Sequence, residues 1–133
     1  ERDYVWIGLD EFVTPDRPEF NLGGLFRYDK KNQWLRFDTQ TGLRANGISA
    51  IERTGNYIWA ALYQFGKDTK EQFGRGVAII NRDTENVITI SEEYLPANII
   101  SLCYNDGYMW AGSKNGVYRI EITNSLAEWS LNK

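Results

Sequence analysis

One six-residue pattern occurs three times in this chain of 133 residues. It reads YVWIGL near the beginning, YIWAAL in the middle and YMWAGS towards the end. A glycine and an alternating apolar run follow each copy, at Gly24, Gly76 and Gly116. The segments before the second and third copies also align with each other. The chain therefore contains an internal repeat, and its fold must be one that repeated units can build.

Each repeat unit is predicted to contain four short strands. β-branched and aromatic residues fill the alternating runs, and turn residues at 54–56 and 105–107 separate them. No segment has a convincing helical pattern. A repeated unit of about 40–50 residues made of short strands is typical of a β-propeller blade. The sequence therefore predicts an all-β fold, in which residues 1–133 form one partial β-propeller of about three blades, each with four antiparallel strands. The predicted blades span residues 3–37, which lack the first strand, 43–90 and 95–131.

The tryptophan of the repeated pattern is predicted to be structural. Successive side chains of a strand point to opposite faces, so each tryptophan shares a face with the Gly or Ala two positions later. Between stacked blades a large ring fills the gap, and a small residue fits where backbones approach. The glycines that begin the third strands are expected to support the same core. The predicted structural core of the blades therefore consists of Trp6, Trp59, Trp110, Gly24, Gly76 and Gly116.

Composition excludes several functional classes. The net charge is −3, which argues against nucleic acid or an anionic membrane as a partner, since both favour basic surfaces. The chain has no histidine, which excludes Ser-His-Asp and Cys-His nucleophiles and HExxH zinc sites. The single cysteine, Cys103, lies in an apolar run and is expected to be a small buried residue. We therefore expect no metal, no cofactor and no enzymatic activity.

A longer pattern of Gly, Leu, Asn, Ile and Trp runs through the three units. The residues that carry this pattern are Gly42-Leu43, Asn46, Ile48, Ile51, Gly55, Trp59 and Gly76-Val77; Leu95, Asn98, Ile100, Gly107, Trp110, Gly112 and Gly116-Val117; and Trp6-Ile7-Gly8 with Gly23-Gly24-Leu25. The pattern resembles the two-component regulator propeller repeat. In that family the repeats form the sensor β-propeller of hybrid histidine kinases, commonly in their extracytoplasmic part, and some of these sensors recognise oligosaccharides. The resemblance therefore implies a periplasmic or extracellular sensor. The repeat is also similar to that of streptogramin-lyase-like propellers, so the fold alone does not fix the function.

The number of units is too small for a closed ring. Propellers have roughly four to eight blades. Three blades alone would leave open edges and uncovered apolar faces. Two alternatives stay open: the chain is a fragment whose further blades lie in missing sequence, or a homo-oligomer completes the ring, for example two copies of three blades.

Two long links between second and third strands are the predicted functional region. They are DEFVTPDRPEFNLG and YQFGKDTKEQFGR, whereas the third unit has only KN. In a propeller these links open on the same face as the connections from each fourth strand to the next first strand. Long loops on a rigid scaffold commonly carry binding sites. The aromatic residues could equally fasten their own loops as compact Ω-loops. Asn46 and Asn98 are expected to be turn residues that bond backbone groups. The candidate ligand-binding residues are Asp10, Phe12, Arg44, Tyr63, Phe65 and Arg75.

These observations favour a non-enzymatic ligand-binding or sensor module that binds a small molecule, for example a glycan, on the face with the long links. The competing class is a lyase or hydrolase built on the same face from Asp, Glu, Arg and Tyr. A third hypothesis is a purely structural docking platform. No contact of this chain with nucleic acid or membrane is expected.

Overall fold

The computed structural model describes residues 3–10, 23–65 and 72–122, together with the backbone of 13–14 and 17–21. Within these residues the chain forms twelve strands and no helix. None of the described segments is a helix that could cross a membrane. The strands are β1 (Val5–Leu9), β2 (Val13–Thr14), β3 (Arg17–Asn21), β4 (Gly24–Tyr28), β5 (Trp34–Phe37), β6 (Gly47–Thr54), β7 (Tyr57–Phe65), β8 (Gln72–Asn81), β9 (Val87–Thr89), β10 (Ile99–Asn105), β11 (Tyr108–Ser113) and β12 (Gly116–Glu121).

The strands form three antiparallel sheets of three or four strands and one small hairpin. The first sheet has the order β1-β4-β5, the second β6-β7-β8-β9 and the third β10-β11-β12, while β2 pairs with β3. The all-β prediction is therefore confirmed. Among the described residues no sheet closes on itself, and the propeller arrangement stays a prediction. The predicted fourth strand of the last unit lies within residues 123–133, outside the described residues.

The long links were predicted to be loops, and this is wrong for most of their described length. β7 continues to Phe65 and β8 begins at Gln72, so the two strands extend as a hairpin beyond the body of their sheet. The first link contains the β2–β3 hairpin. The residue types explain the difference, because Tyr63 and Phe65, with Gln64 between them, can continue the hydrogen-bonded ladder of β7 and β8. Strand pairing also satisfies backbone groups that a loop would leave to solvent.

Tight turns connect the strands where the sequence predicted them. β6 and β7 are joined through Gly55, and β10 and β11 through Asp106 and Gly107. All three residues have positive φ angles, of 57°, 51° and 83°. Two-residue hairpin turns need this left-handed backbone, which Gly and Asp tolerate better than most residues.

The second sheet is covered on both faces. Side chains of β7 alternate, so Trp59 and Ala61 pack with Met109 of the third sheet in one hydrophobic cluster. Ile58 and Leu62 point the other way into a second cluster shared with the first sheet. The three sheets therefore form a stack, with the second sheet in the middle.

The three tryptophans of the repeated pattern differ in burial. Trp59 is 1% exposed, and its indole N–H donates a hydrogen bond to Thr54 Oγ1 at 2.8 Å. Trp6 packs against the cluster between the first and second sheets. Trp110 is 38% exposed, because no described residues cover that face of the third sheet. The expectation of a filled gap at all three positions therefore does not hold at Trp110 in this structure.

Cys103 is exposed, so the prediction of a buried residue is wrong. It lies directly opposite Trp110 in the pairing of β10 with β11, and paired residues share a face of the sheet. Its neighbours along the chain are apolar, but its side chain is on the uncovered face of the third sheet. An apolar run alone does not show which face of a sheet is covered.

A substitution at Trp59 tests the stacked core. Trp59→Ala should lower the free energy of unfolding by about 3–5 kcal/mol, because it leaves a cavity between two sheets. Trp110→Ala is the matched control and should cost less than about 2 kcal/mol, since this indole is already partly in solvent. Urea unfolding measures both changes, and equal losses at the two positions would contradict the burial described here.

The turn after β4 predicts a pH effect. Backbone N–H groups of Gln33 and Lys31 donate to Asp29 Oδ1 at 3.0 and 2.7 Å and lower the pKa of this carboxyl below 3.8. Because the folded pKa lies below the unfolded one, the carboxylate stabilises the fold above pH 3.8, and this contribution is lost as the pH falls through the folded pKa. An NMR titration should therefore give Asp29 a midpoint below 3.8.

The equivalent turn of the second sheet supplies the control. Asn81 Oδ1 accepts hydrogen bonds from the backbone N–H groups of Asp83 and Thr84 at 2.9 and 3.0 Å. An amide oxygen can therefore accept the hydrogen bonds of such a turn in place of a carboxylate. Asp29→Asn should keep the turn and remove this part of the acid destabilisation. A midpoint at or above 3.8 for Asp29 would show that the turn does not bind the carboxylate.

Candidate functional site

Links from two pairs of strands converge at one end of the stacked sheets. The backbone N–H of Gly24 donates to Asn46 O at 2.5 Å, which joins the start of β4 to the link between β5 and β6. The N–H of Gly76 donates to Ala97 O at 2.9 Å, which joins β8 to the link between β9 and β10. Both links therefore lie where the second-to-third strand connections also end, as the sequence analysis expected.

Backbone contact at this end is very close. A Cβ atom on Gly74 would lie 2.3 Å from Ala97 O and 2.3 Å from Asn98 Cα. Gly23, directly before β4, makes a similarly close approach in the first sheet: a Cβ atom there would lie 2.4 Å from Asn46 O. Only glycine fits at such distances, so these two residues allow each sheet to approach the link that precedes the next sheet.

A cavity of about 180 Å³ opens beside this close contact, between the second and third sheets. Its described lining combines polar side chains with apolar surface and comes from separate elements of the fold. β6, β7 and β8 contribute one part of the lining; the link before β10, β10 itself and the β11–β12 turn contribute the other. The lining residues are Ser49, Tyr63, Gln72, Gly74, Asn98, Ile100 and Lys114.

Tyr63 connects this cavity to the first sheet. Its ring is buried, and its hydroxyl donates a hydrogen bond to Asp10 Oδ1 at 2.5 Å. The Phe65 ring meets the Tyr63 ring edge-on, with 5.5 Å between centroids. Three of the predicted site residues are therefore neighbours, although Asp10 and Tyr63 are far apart in sequence. The carboxylate fixes the direction of the phenol at the rim of the cavity.

The structure does not bring the other predicted site residues into this group. Arg44 is half-buried in the link between β5 and β6 and is not among the described lining residues. Arg75 is half-buried in β8 between two glycines, and its Nε has no hydrogen-bond partner among the described residues. Phe12 lies outside the described residues.

Sequence reasoning missed several lining residues. Asn98 was expected to be a turn residue, yet it lines the cavity, whereas its repeat partner Asn46 is buried and accepts a hydrogen bond from the Thr39 N–H at 2.9 Å. Lys114 belongs to the short link that carried no prediction. One signal in the sequence could have pointed to Asn98. It is identical to Asn46 in the repeat alignment but is followed by a different sequence, and identical residues in different surroundings can have different roles.

The lining chemistry suits a small ligand that has both polar groups and an apolar face. Gln72 and Asn98 offer amide groups, Lys114 an ammonium group and Tyr63 an aromatic ring, all of which can contact a hydroxylated or anionic molecule. The described part of the chain contains no group of three or more His, Cys, Asp or Glu residues placed to hold a metal ion.

The chain matches no protein-family model and no curated protein.

A substitution at Gly74 tests the close contact at the cavity. Gly74→Ala should destabilise the protein by about 2–3 kcal/mol, because the new methyl group collides with the backbone of residues 97–98. Gly107→Ala is the control: nothing lies within 4 Å of its Cβ position, and only its φ of +83° causes strain, which costs about 1 kcal/mol. Thermal and urea unfolding measure both, and a Gly74→Ala variant as stable as the wild type would contradict the contact.

Proposed function

We propose that the chain is part of a β-propeller and acts as a non-enzymatic ligand-binding or sensor module. The repeated orientation of the sheets supports the propeller. In the first two sheets the tryptophan lies on the face that packs against the following sheet. The second sheet has the strand order of a propeller blade, with four antiparallel neighbours in chain order.

The cavity between the second and third sheets carries the binding proposal. It lies at the end of the stack where the strand links converge, and separate elements line it with amide, hydroxyl and ammonium groups. Binding sites on repeat folds commonly use such link-bearing ends. The ligand that fits is a small polar molecule, for example a glycan, that stacks on or bonds to Tyr63 and bonds to Asn98.

Binding is favoured over the alternative of a lyase or hydrolase by the composition of the cavity wall. A glycosidase of the usual type needs two carboxyl groups at a defined separation across its substrate. Among the described lining residues none is Asp or Glu, and Asp10 contacts the site only through the Tyr63 hydroxyl.

The resemblance to the two-component regulator propeller repeat supports a sensor on the extracytoplasmic side of a membrane. In that setting the signal of ligand binding would be transmitted to an attached output module. The complete ring would include further blades from missing sequence or a homo-oligomer. Neither nucleic acid nor membrane is a proposed partner of this chain.

A docking platform is the second candidate, favoured by apolar side chains on both outer faces of the stack. Ile7, Leu9, Phe26 and Trp34 line a cleft of about 300 Å³ on the first sheet. Val117 and Trp110 are exposed on the third sheet. Such faces mark contact with another protein surface.

A glycan array and titration with the best-bound glycan test the binding proposal. Asn98→Ala and Lys114→Ala should each weaken binding about tenfold, the effect of losing one good hydrogen bond. Phe65→Ala should weaken it less, through the support that this ring gives to Tyr63. Lys31→Ala, on a turn that does not belong to the cavity, is the matched control. Equal affinity in the wild type and both cavity variants would contradict the proposed site, as would an array on which the folded protein binds nothing.

A further inference from the structure

Each of the three sheets has a face built in the same way, because the strand that carries the repeated tryptophan pairs with the next strand of the sheet in the same register. In each sheet the repeated tryptophan and the small residue two positions later oppose two residues of the next strand. We call this the tryptophan face. The opposed pairs are Trp6 with Arg27 and Gly8 with Leu25, Trp59 with Ile79 and Ala61 with Val77, and Trp110 with Arg119 and Gly112 with Val117.

Two of these faces are covered and the third is open. At the equivalent position next to the small residue, Leu25 is 0%, Val77 1% and Val117 71% exposed. The first tryptophan face packs on the second sheet, and the second packs on the third. The third face has the same construction without a covering sheet among the described residues.

An arginine on the first tryptophan face shows what such a face binds. The Arg27 guanidinium lies 4.6 Å from the Tyr4 ring centroid. It donates to Arg82 O at 2.9 Å and to a Glu85 carboxylate oxygen at 3.0 Å, both in the turn between β8 and β9 of the following sheet. This arginine therefore connects one sheet to the turn of the next.

Arg119 has the equivalent position on the open face. Its guanidinium lies 4.6 Å from the Tyr108 ring centroid and 5.5 Å from that of Trp110. The guanidinium is thus held over the same pair of rings as Arg27, but at the surface. The Tyr108 and Trp110 rings orient the Arg119 guanidinium. Its outward N–H groups are placed to donate to the turn of another sheet, as those of Arg27 do.

The opposite side of the stack presents the complementary surface. We call the face of each sheet that lies away from its tryptophan the back face. In the second sheet the β7 positions of this face are buried; in the first sheet the equivalent β1 positions are 38–40% exposed. The matched residues are Ile58, Ala60 and Leu62 in β7, and Val5, Ile7 and Leu9 in β1.

Charge also matches between the two open faces. At the covered contact Arg82 donates to Asp3 at 2.9 Å across the turn end of the stack. The equivalent turn of the first sheet carries the exposed residues Lys30 and Lys31. At the same end of the open tryptophan face lie the exposed carboxylates of Asp106 and Glu121.

We infer that the open tryptophan face of the third sheet binds the back face of the first sheet of a second copy of this chain. The inference rests on the proposed propeller arrangement of the sheets but not on the proposed ligand. The contact is heterologous, because a tryptophan face meets a back face at both covered contacts within the chain. Repeated contacts of this kind form a ring if the rotation closes.

Size-exclusion chromatography with light scattering tests this contact on the whole chain. Val117→Asp places a charge on the open tryptophan face, and Ile7→Asp places one on the open back face. The wild type should be an oligomer at about 100 μM, where even a micromolar contact is mostly formed. Each variant alone should be a monomer. An equal mixture of the two should form a heterodimer, since one intact tryptophan face and one intact back face remain.

Controls distinguish the possible failures. Val117→Thr keeps the shape of the side chain and should stay oligomeric, while Trp34→Asp provides a second back-face variant if Ile7→Asp fails to fold by circular dichroism. A monomeric wild type overturns the inference. The inference is also overturned if only one of the two substitutions, Val117→Asp or Ile7→Asp, disrupts the oligomer. That result would show a two-fold contact between like faces. Ligand titration of the monomeric variants separates this outcome from failure of the cavity proposal.

Discussion

The burial of the second sheet on both faces is the constraint on which the rest of the structure depends. Five successive β7 residues from Ile58 to Leu62 are apolar and buried, so neither face of this strand can be left in water. Successive side chains enter the two clusters in turn, with Trp59 packed against the third sheet and Leu62 against the first. A sheet of this kind is stable only between two others.

This constraint also determines the position of the candidate site. To cover the second sheet, its neighbours must approach closely at the end where the links converge, and glycines at 23 and 74 make that approach possible. The cavity forms beside this close contact, where β7 and β8 face the start of β10 and the β11–β12 turn. Asp10 then reaches Tyr63 across the sheets. The site is thus a consequence of how the sheets stack and not of a local motif.

Most strands and turns could be predicted from the sequence, because the same pattern of alternating residues and turn residues occurs in all three units. Alternation gives the strands, and Gly or Asp marks the turns. The strand extensions at Phe65 and Gln72 were missed, since aromatic and polar residues between two strands of one sheet also suit a loop. The exposure of Cys103 was missed because an apolar run does not show which face has a partner.

The site was predictable only in part. The sequence pointed to the two long links and to Tyr63, which lines the cavity, but the contact of Tyr63 with Asp10 depends on the stacking of separate sheets. Asn98 and Lys114 are ordinary turn residues in the sequence and line the cavity only because two sheets meet there. Arg44 was a plausible ligand contact by type, yet its link places it outside the described cavity wall.

Amide hydrogen exchange measured by NMR tests the central position of the second sheet most directly. Amides of residues 58–62 should exchange last, through global unfolding, because this strand is paired on both edges and covered on both faces. In the monomeric Val117→Asp variant, amides of β1 should exchange earlier than those of β7, since β1 is an edge strand among the described residues and its back face is open there. If the amides of β1 were protected as long as those of β7, or longer, the stacked arrangement would be contradicted.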